Sequence, residues 1–330
     1  MTESRVTLVV VPRERFSGSR DSLESIIRET DESFELVYVD GGSPTRIRRY
    51  LASQAAKAGF RLIRADRYLS PNEARNIGLR EVRTEYVVFI DNDVVVAPGW
   101  LRKLVECADE TGAAVVGPLT CIGKPEHEVI HLAGGEVEIL ETSDNGGSRA
   151  VKERMYFPGR RVESVRSELT RSQCRLAEFH CVLVRRSLLD EIGPFDEAML
   201  NTREHLDFSL EVMKTGGTIY FEPDSLVTYV PGPPFKLTDI PYYMLRWSDA
   251  WEVKSLERFR DKWNLDEDDF FKARFARLGW RRHDSLVDPV VNRLTLRRGS
   301  DRFRKVARRA DRVLNKRLSR RYERMRVKAS

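Results

Sequence analysis

Two aspartates one residue apart, Asp91 and Asp93, close the apolar run Tyr86-Val87-Val88-Phe89-Ile90. Carboxylate oxygens are hard ligands. A pair of them at the end of a buried strand suits magnesium or manganese, which bind through one or two carboxylates plus the phosphates of a substrate. A plain polar turn would use the same residue types, because Asp and Asn are common turn formers. A third acid, Asp40, follows another apolar run, Phe34 to Val39, and sits on the turn Gly41-Gly42-Ser43-Pro44. The chemistry open to these acids depends on whether the chain gathers them in one place.

The elements around them say that it does. Residues 6–11 read as a buried strand, and residues 21–30 as a helix with Leu23, Ile26 and Ile27 at helical spacing. A second strand ends at Asp40, and Ser43-Pro44 starts a helix that runs to about Ala58. A short strand over 60–64, a helix over 71–83, the Asp91 strand, a helix over 98–111 and a strand over 113–116 follow. Alternation of this kind predicts an α/β fold with one open, mostly parallel sheet flanked by helices. Such sheets bind ligands outside the carboxyl ends of their strands, so Asp40, Asp91 and Asp93 are expected on one edge. No Gly-x-Gly-x-x-Gly fingerprint follows the first strand, and Gly117 to Lys124 is one residue too long for a phosphate loop. A metal is therefore the expected means of holding phosphate.

Further along, residues 128–140 read as strands around a Gly-Gly turn, and residues 141–175 as a polar, mobile loop over the site. Phe179 to Val184 reads as a strand. A helix over 203–214 carries Glu204 and His205 in its first turn, and two short strands are expected over 218–221 and 226–230. Residues 239–280 look helical and hold four of the five Trp.

The composition bounds the rest. In 330 residues no apolar run approaches the roughly 20 needed to span a bilayer. The apolar start reads as a first strand and not as a signal peptide, which points to a cytoplasmic location. Cys107, Cys121, Cys174 and Cys181 form no Cys-x-x-Cys pair, so reduced structural thiols and no zinc site are expected. Residues 293–330 carry 16 basic against 3 acidic side chains, and the remainder 41 against 48. The chain is thus a mildly acidic body with a strongly basic tail.

Five segments, in order, resemble glycosyltransferase family 2, the inverting family with the A-type fold. They are Val11-Pro12-Arg13-Glu14, Val39-Asp40-Gly41-Gly42-Ser43, Glu73-Ala74-Arg75-Asn76-Ile77-Gly78-Leu79, Asp91-Asn92-Asp93, and Val184-Arg185-Arg186 followed by Ile192-Gly193-Pro194-Phe195-Asp196-Glu197. The resemblance implies a catalytic domain over 1–235, with a nucleotide-binding half over 1–118 and an acceptor-side half over 119–235. A helical extension over 236–292 and a basic amphipathic tail over 293–330 follow. It implies a nucleotide-sugar donor, most readily a UDP-sugar, and a glycan or lipid-linked hydroxyl acceptor of the kind used in cell-surface polysaccharide synthesis. Pro12, Glu14, Asp40, Arg75, Asp91 and Asn92 would bind the donor, and Asp93 with Asp91 would hold Mn2+ or Mg2+. The cation would stabilise charge on the departing diphosphate, while a base assists attack by the acceptor hydroxyl.

The base is where this chain departs from the family pattern Glu-Asp-x-Asp. It reads Glu204-His205-Leu206-Asp207, with histidine at the expected base position. Histidine titrates near neutrality, and a carboxylate at a helix start is favoured by the helix dipole, so His205 and Glu204 both stay open, with Asp207 behind them. The family often has a histidine near 227–230, where this chain has Tyr229, which predicts weaker metal affinity. In the tail, Phe303, Val306, Ala307, Ala310, Leu314, Leu318 and Met325 recur at three- and four-residue steps among arginines. That pattern fits peripheral contact with the anionic inner face of a membrane, or packing of the apolar stripe on the body. Nucleic acid is not expected, because the tail, with Phe303 and Tyr322 as its two aromatics, lacks the interleaved row that base stacking needs. A sugar-phosphate nucleotidyltransferase and a non-catalytic nucleotide-sugar-binding module are the rival readings.

Overall fold

The computed structural model describes residues 4–142, 148–233, 235–295 and 301–329. The chain divides into two compact units, one of residues 1–197 with 204–231, the other of residues 198–203 with 232–330.

The first unit opens with β1 (Val6–Val11), α1 (Ser19–Glu29), β2 (Glu35–Gly41), α2 (Thr45–Ala58), β3 (Arg61–Ala65), α3 (Pro71–Leu79) and β4 (Tyr86–Asp91). It continues with β5 (Val94–Val96), α4 (Trp100–Thr111), β6 (Val115–Ile122), β7 (Ile130–Leu132), β8 (Gly135–Thr142) and β9 (Ser148–Met155). The last elements are α5 (Val162–Val165), β10 (Ser172–Cys174), β11 (Cys181–Arg185), α6 (Arg186–Ile192), α7 (Glu204–Lys214) and β12 (Ile219–Tyr229). The main sheet has the order β10-β12-β6-β11-β4-β1-β2-β3. Its β4-β1-β2-β3 half is parallel, and β11 joins that half to the rest by antiparallel pairing with both β4 and β6.

Alternation along the strands builds a core on each face of this sheet. Val9, Val11, Val87 and Phe89 belong to one cluster, and Leu8, Val10, Val88 and Ile90 to the other. Successive side chains of a strand point to opposite faces, so strands that read as unbroken apolar runs are covered on both. The strand ends then have only one direction in which to present polar groups, the carboxyl edge. Register fixes where: Val11 pairs with Asp91 across β1 and β4.

α3 shows how local sequence and long-range packing agree. Pro71 opens the helix, and Ser70 and Glu73 form a reciprocal capping box. The side chain of Asn76 then clips the backbone of Phe195 from both sides, accepting from its N–H and donating to its carbonyl, each at 2.9 Å. Asn72 donates to the carbonyl of Asp196 at 2.9 Å. Two of the resembling segments, more than a hundred residues apart, are thus one structural piece. Phe195 completes an aromatic cluster with Phe89 and Phe179, each 5.2 Å away, and Phe208 at 5.7 Å.

Two expectations are corrected. Residues 141–175 are not a structureless loop among the described residues, since β9, α5 and β10 lie there; residues 143–147 fall outside the described residues. The segment is polar because β8 and β9 pair as a separate two-stranded sheet with Glu136 opposite Arg154, Glu138 opposite Lys152 and Glu141 opposite Arg149. Opposite charges across strands favour pairing without an apolar signature. The strands expected around the Gly-Gly turn are β7 and β8, the first pairing with β6 and the second with β9. The two strands expected over 218–221 and 226–230 are one, β12, broken in register between Glu222 and Leu226.

The second unit is helical: α8 (Ile240–Arg246), α9 (Asp249–Lys262), α10 (Asp269–Ala276), α11 (Trp280–Arg282), α12 (Asp288–Leu294) and α13 (Asp301–Ala329). Trp251, Phe259 and Phe271 are buried in it. The inward face of α13 is polar: Asp311, Asn315, Ser319 and Tyr322 are buried at helical spacing. Asn315 donates to the Met244 carbonyl at 2.7 Å, and Asp311 pairs at 2.9 Å with the fully buried Arg282. Phe303, Val306, Val313, Leu314 and Met325 are exposed instead. The tail's apolar stripe is therefore not its packing face.

Gly78 is the tightest contact between α3 and the sheet. A Cβ there would lie 2.3 Å from Val9 Cγ1 and 3.4 Å from Val39 Cγ2. Gly78→Ala should cost about 1–3 kcal/mol by overpacking, lowering the melting temperature by roughly 2–4 °C per kcal/mol for a unit of this size. Thermal unfolding checks it, and an unchanged midpoint would refute the close packing.

Candidate active site

The turn after β4 is held by Asn92. Its backbone N–H donates to the Val11 carbonyl at 2.9 Å, its side-chain oxygen accepts from Arg13 N–H at 2.9 Å, and its side-chain nitrogen donates to the Arg15 carbonyl and to Ser19 Oγ, each at 2.9 Å. The middle residue of Asp-x-Asp is thus committed to the loop after β1. It carries Pro12, Arg13 and Glu14 to the two aspartates.

Asp91 is fully buried. Its Oδ2 lies 3.0 Å from His180 Nδ1 and 3.4 Å from Arg13 Nε, and its Oδ1 lies 3.7 Å from Arg75 Nη2. Arg75 is itself fully buried, with its guanidinium 3.8 Å over the Phe179 ring and Nη1 donating to Asn72 Oδ1 at 2.9 Å. Arg13 also reaches Glu204 Oε1 at 3.5 Å. Burial works against the Arg13 charge, but Asp91, Tyr229, Glu204 and Glu14 outweigh it and raise its pKa.

Asp93 is different. It is 2% exposed, and neither carboxylate oxygen has a hydrogen-bond partner among the described residues. Gly18 leaves room beside it, since a Cβ there would sit 3.1 Å from Asp93 Cβ. Burial, with the charges of Glu14 and Asp91, pushes the Asp93 carboxyl well above the ordinary carboxylate range against the pull of Arg15 and Arg13. Buried carboxylate oxygens without donors, grouped with two further acids, form a donor set that fits a hard divalent cation. Asp93 and Asp91 are the residues that would hold it.

Asp40 lies two strands away on the same edge. It is buried and accepts from Ser43 N–H and Ser43 Oγ, each at 2.9 Å, and pairs with Arg64. Pro12 packs on Gly41, where a Cβ would come within 3.0 Å of its Cγ. The structure thus brings Arg13, Glu14, Arg75, Asp91, Asp93 and Glu204 together. His205 has other neighbours, its Nε2 lying 3.5 Å from Glu153 and 4.0 Å from Glu178. Asp207 is buried one turn further along α7.

Sequence reasoning missed three residues here. His131, Glu178 and His180 gather beside Asp91, with Glu178 Oε2 at 2.9 Å from His131 Nε2 and 3.5 Å from His180 Nε2. Burial alone would raise the Glu178 carboxyl, but His131, His180 and His205 outweigh it and hold it well below the usual range. Burial lowers the His180 pKa despite its bond to Asp91. The available signal was an acid and a histidine, Glu178 and His180, just ahead of the apolar run Cys181 to Val184, which places both near the start of a strand.

Comparisons with known proteins bear on the family and the fold. The family model described as Glycosyl transferase family 2 matches residues 19–193. Pre-mycofactocin glycosyltransferase of Mycobacterium tuberculosis is 26% identical over 227 residues, 68% of this chain and 42% of that protein. Succinoglycan biosynthesis protein ExoO of Rhizobium meliloti is 25% identical over 224 residues, 68% of this chain and 60% of that one. The chain thus spans about half the length of these relatives. A crystal structure of GalNAc-T7 with UDP, GalNAc and Mn2+ superposes with a TM-score of 0.52 at 17% identity, covering 85% of this chain and 57% of that one. That likeness shows the fold, an A-type glycosyltransferase arrangement with a mixed, mostly parallel sheet.

A carboxyl whose folded pKa exceeds its unfolded value stabilises the fold below the unfolded value and loses that contribution as pH rises through the folded one. Asp93 is such a group. Asp93→Asn should therefore raise the melting temperature of metal-stripped protein at neutral pH and abolish stabilisation by Mg2+. Differential scanning fluorimetry reads both, and a lower midpoint with Mg2+ stabilisation intact would contradict the assignment.

Proposed function

This chain belongs to glycosyl transferase family 2 and is a transferase, and from that premise we propose that it moves a sugar from a nucleotide-sugar donor to a hydroxyl of a glycan or lipid-linked acceptor, with inversion at the anomeric carbon. The observation that carries the reading is the buried Asp91/Asp93 pair at the carboxyl edge of the sheet, with both Asp93 oxygens lacking hydrogen-bond donors. UDP and Mn2+ accompany GalNAc-T7 in its solved structure, so a UDP-sugar with Mn2+ or Mg2+ is the first combination to test.

Each side chain has a task in this proposal. Asp40, Glu14 and Pro12 receive the nucleoside at the ends of β2 and β1. Asp93 and Asp91 hold the cation, which when bound neutralises charge developing on the leaving diphosphate. Arg75, held against Phe179 beside Asp91, orients the donor sugar and phosphate. Glu204 is the base. It shares Arg13 with Asp91 and so belongs to the donor-side cluster, where it takes the acceptor hydroxyl proton as the oxygen attacks the anomeric carbon and the diphosphate leaves. His205, between Glu153 and Glu178, orients the acceptor.

The outward face of α13 joins Phe303, Val306, Leu314 and Met325 to rows of arginine. It is proposed to lie on an anionic membrane surface, the place of lipid-linked acceptors. Each basic residue near such a surface contributes about 1 kcal/mol, screened by salt.

The donor test is a thermal-shift panel of UDP-, GDP- and dTDP-sugars with and without Mn2+ or Mg2+. A donor at about a hundred times its Kd should add roughly 2.7 kcal/mol of stability, only with the cation. No cation-dependent shift with any donor would overturn the reading. Glu204→Gln should keep donor binding and lower turnover by at least the roughly 100-fold typical of a lost base, whereas a larger loss in His205→Asn would move the base to histidine. For the tail, the protein should sediment with phosphatidylglycerol vesicles and not with phosphatidylcholine ones. Release by high salt, and weakening in Val306→Asp/Leu314→Asp, are expected; equal binding of wild type and variant would remove α13 from the contact.

A further inference from the structure

We propose that His131, Glu178 and His180 form a second cation site, distinct from the Asp93 carboxylates and suited to a borderline transition metal of the Zn2+ or Fe2+ class. Three of the chain's five histidines lie around Glu178, and two of them complete a two-histidine, one-carboxylate set. One ligand atom from each of His131, Glu178 and His180 falls within 4.8 Å of the other two. Bonds of about 2.1 Å in a tetrahedral arrangement separate ligand atoms by about 3.4 Å. The 3.5 Å from His180 Nε2 to Glu178 Oε2 matches that spacing, and the 2.9 Å from His131 Nε2 needs to open by only about 0.5 Å.

The surroundings prepare these ligands. Phe179 is fixed in the aromatic cluster 5.1 Å from Phe208 and 5.2 Å from Phe195. Glu178 and His180 flank it in the turn that leads into β11, and the 3.5 Å between Glu178 Oε2 and His180 Nε2 shows that they face one another. His180 is 4% exposed and stacks on Tyr229 with ring centres 4.1 Å apart. Its Nδ1 faces Asp91 Oδ2 at 3.0 Å. A carboxylate on one ring nitrogen leaves the other with its lone pair available, the arrangement that orients metal-binding histidines in general. Here that second nitrogen is the one beside Glu178.

The donor set separates this site from the one at Asp93. Imidazole suits zinc and iron, whereas magnesium prefers oxygen ligands alone. Three protein ligands leave at least one coordination position for water or substrate oxygen. The cysteine spacing that argued against zinc speaks only to thiolate sites. Asp91 touches both sites, so filling the histidine site fixes His180 and, through it, one oxygen of Asp91.

The test is a Co2+ titration of the metal-stripped, full-length protein, followed by visible d–d absorption. One equivalent should develop the bands of a low-coordinate site with histidine ligands, and Zn2+ should displace it. His131→Ala and Glu178→Gln should weaken Co2+ binding by about 100-fold or more, at least the upper end of what losing an outer-sphere partner costs. Asp93→Asn should leave the bands in place. Absence of such bands in the wild type overturns the proposal and requires no variant. Bands lost in Asp93→Asn but kept in His131→Ala would also overturn it, by assigning the metal to the aspartates. Circular dichroism of each variant separates ligand loss from unfolding.

Discussion

Three acids, Asp91, Asp93 and Glu14, are buried within one small volume at the end of a sheet. Ionised groups in a low-dielectric interior persist only when paired, and like charges there raise one another's pKa. The neighbouring parts of the structure answer this constraint. Arg75 reaches Oδ1 of Asp91, and Arg13 and His180 share its Oδ2. Asp93 is left with no hydrogen-bond donor. A carboxylate left unsatisfied in this way costs stability in the metal-free protein, and it is the feature on which the proposed cation site rests.

Holding that arrangement calls for rigidity from far along the chain. Asn92 fixes the turn between the aspartates to the loop after β1, while Asn76 and Asn72 fix α3, the helix that carries Arg75, to the segment at Phe195. The aromatic cluster of Phe89, Phe179, Phe195 and Phe208 backs this joint. The family's membership and fold are therefore carried as much by these structural asparagines and phenylalanines as by the acids.

The helical unit solves its own packing in an unusual sense. Arg282 is fully buried between Asp311 and Asp249. Burial disfavours its charge, but hydrogen bonds and attraction from Asp311 and Asp249 keep the guanidinium charged. With α13 anchored by Asp311, Asn315 and Ser319, its apolar residues are released to the outside. An amphipathic pattern shows that a helix has two faces, and only packing shows which one the protein uses.

The sequence by itself determined the parallel half of the sheet, the placing of Asp40, Asp91 and Asp93 at strand ends, and the family. The first two follow from local periodicity and from the rule that strand ends share an edge, which need no long-range information, and the family from five short segments that resemble it in order. It did not determine the pairing of β8 with β9, because opposite charges across strands leave no apolar signature. It named Glu204 and His205 but could not separate them, since both open one helix turn. Only the tertiary structure put Glu204 with Arg13, and His205 with Glu153 and Glu178. Only it assembled His131 of β7 with Glu178 and His180 of the turn before β11, which lie far apart in the chain. Their meeting depends on strand order and on which face a side chain takes, and no spacing along the chain encodes either.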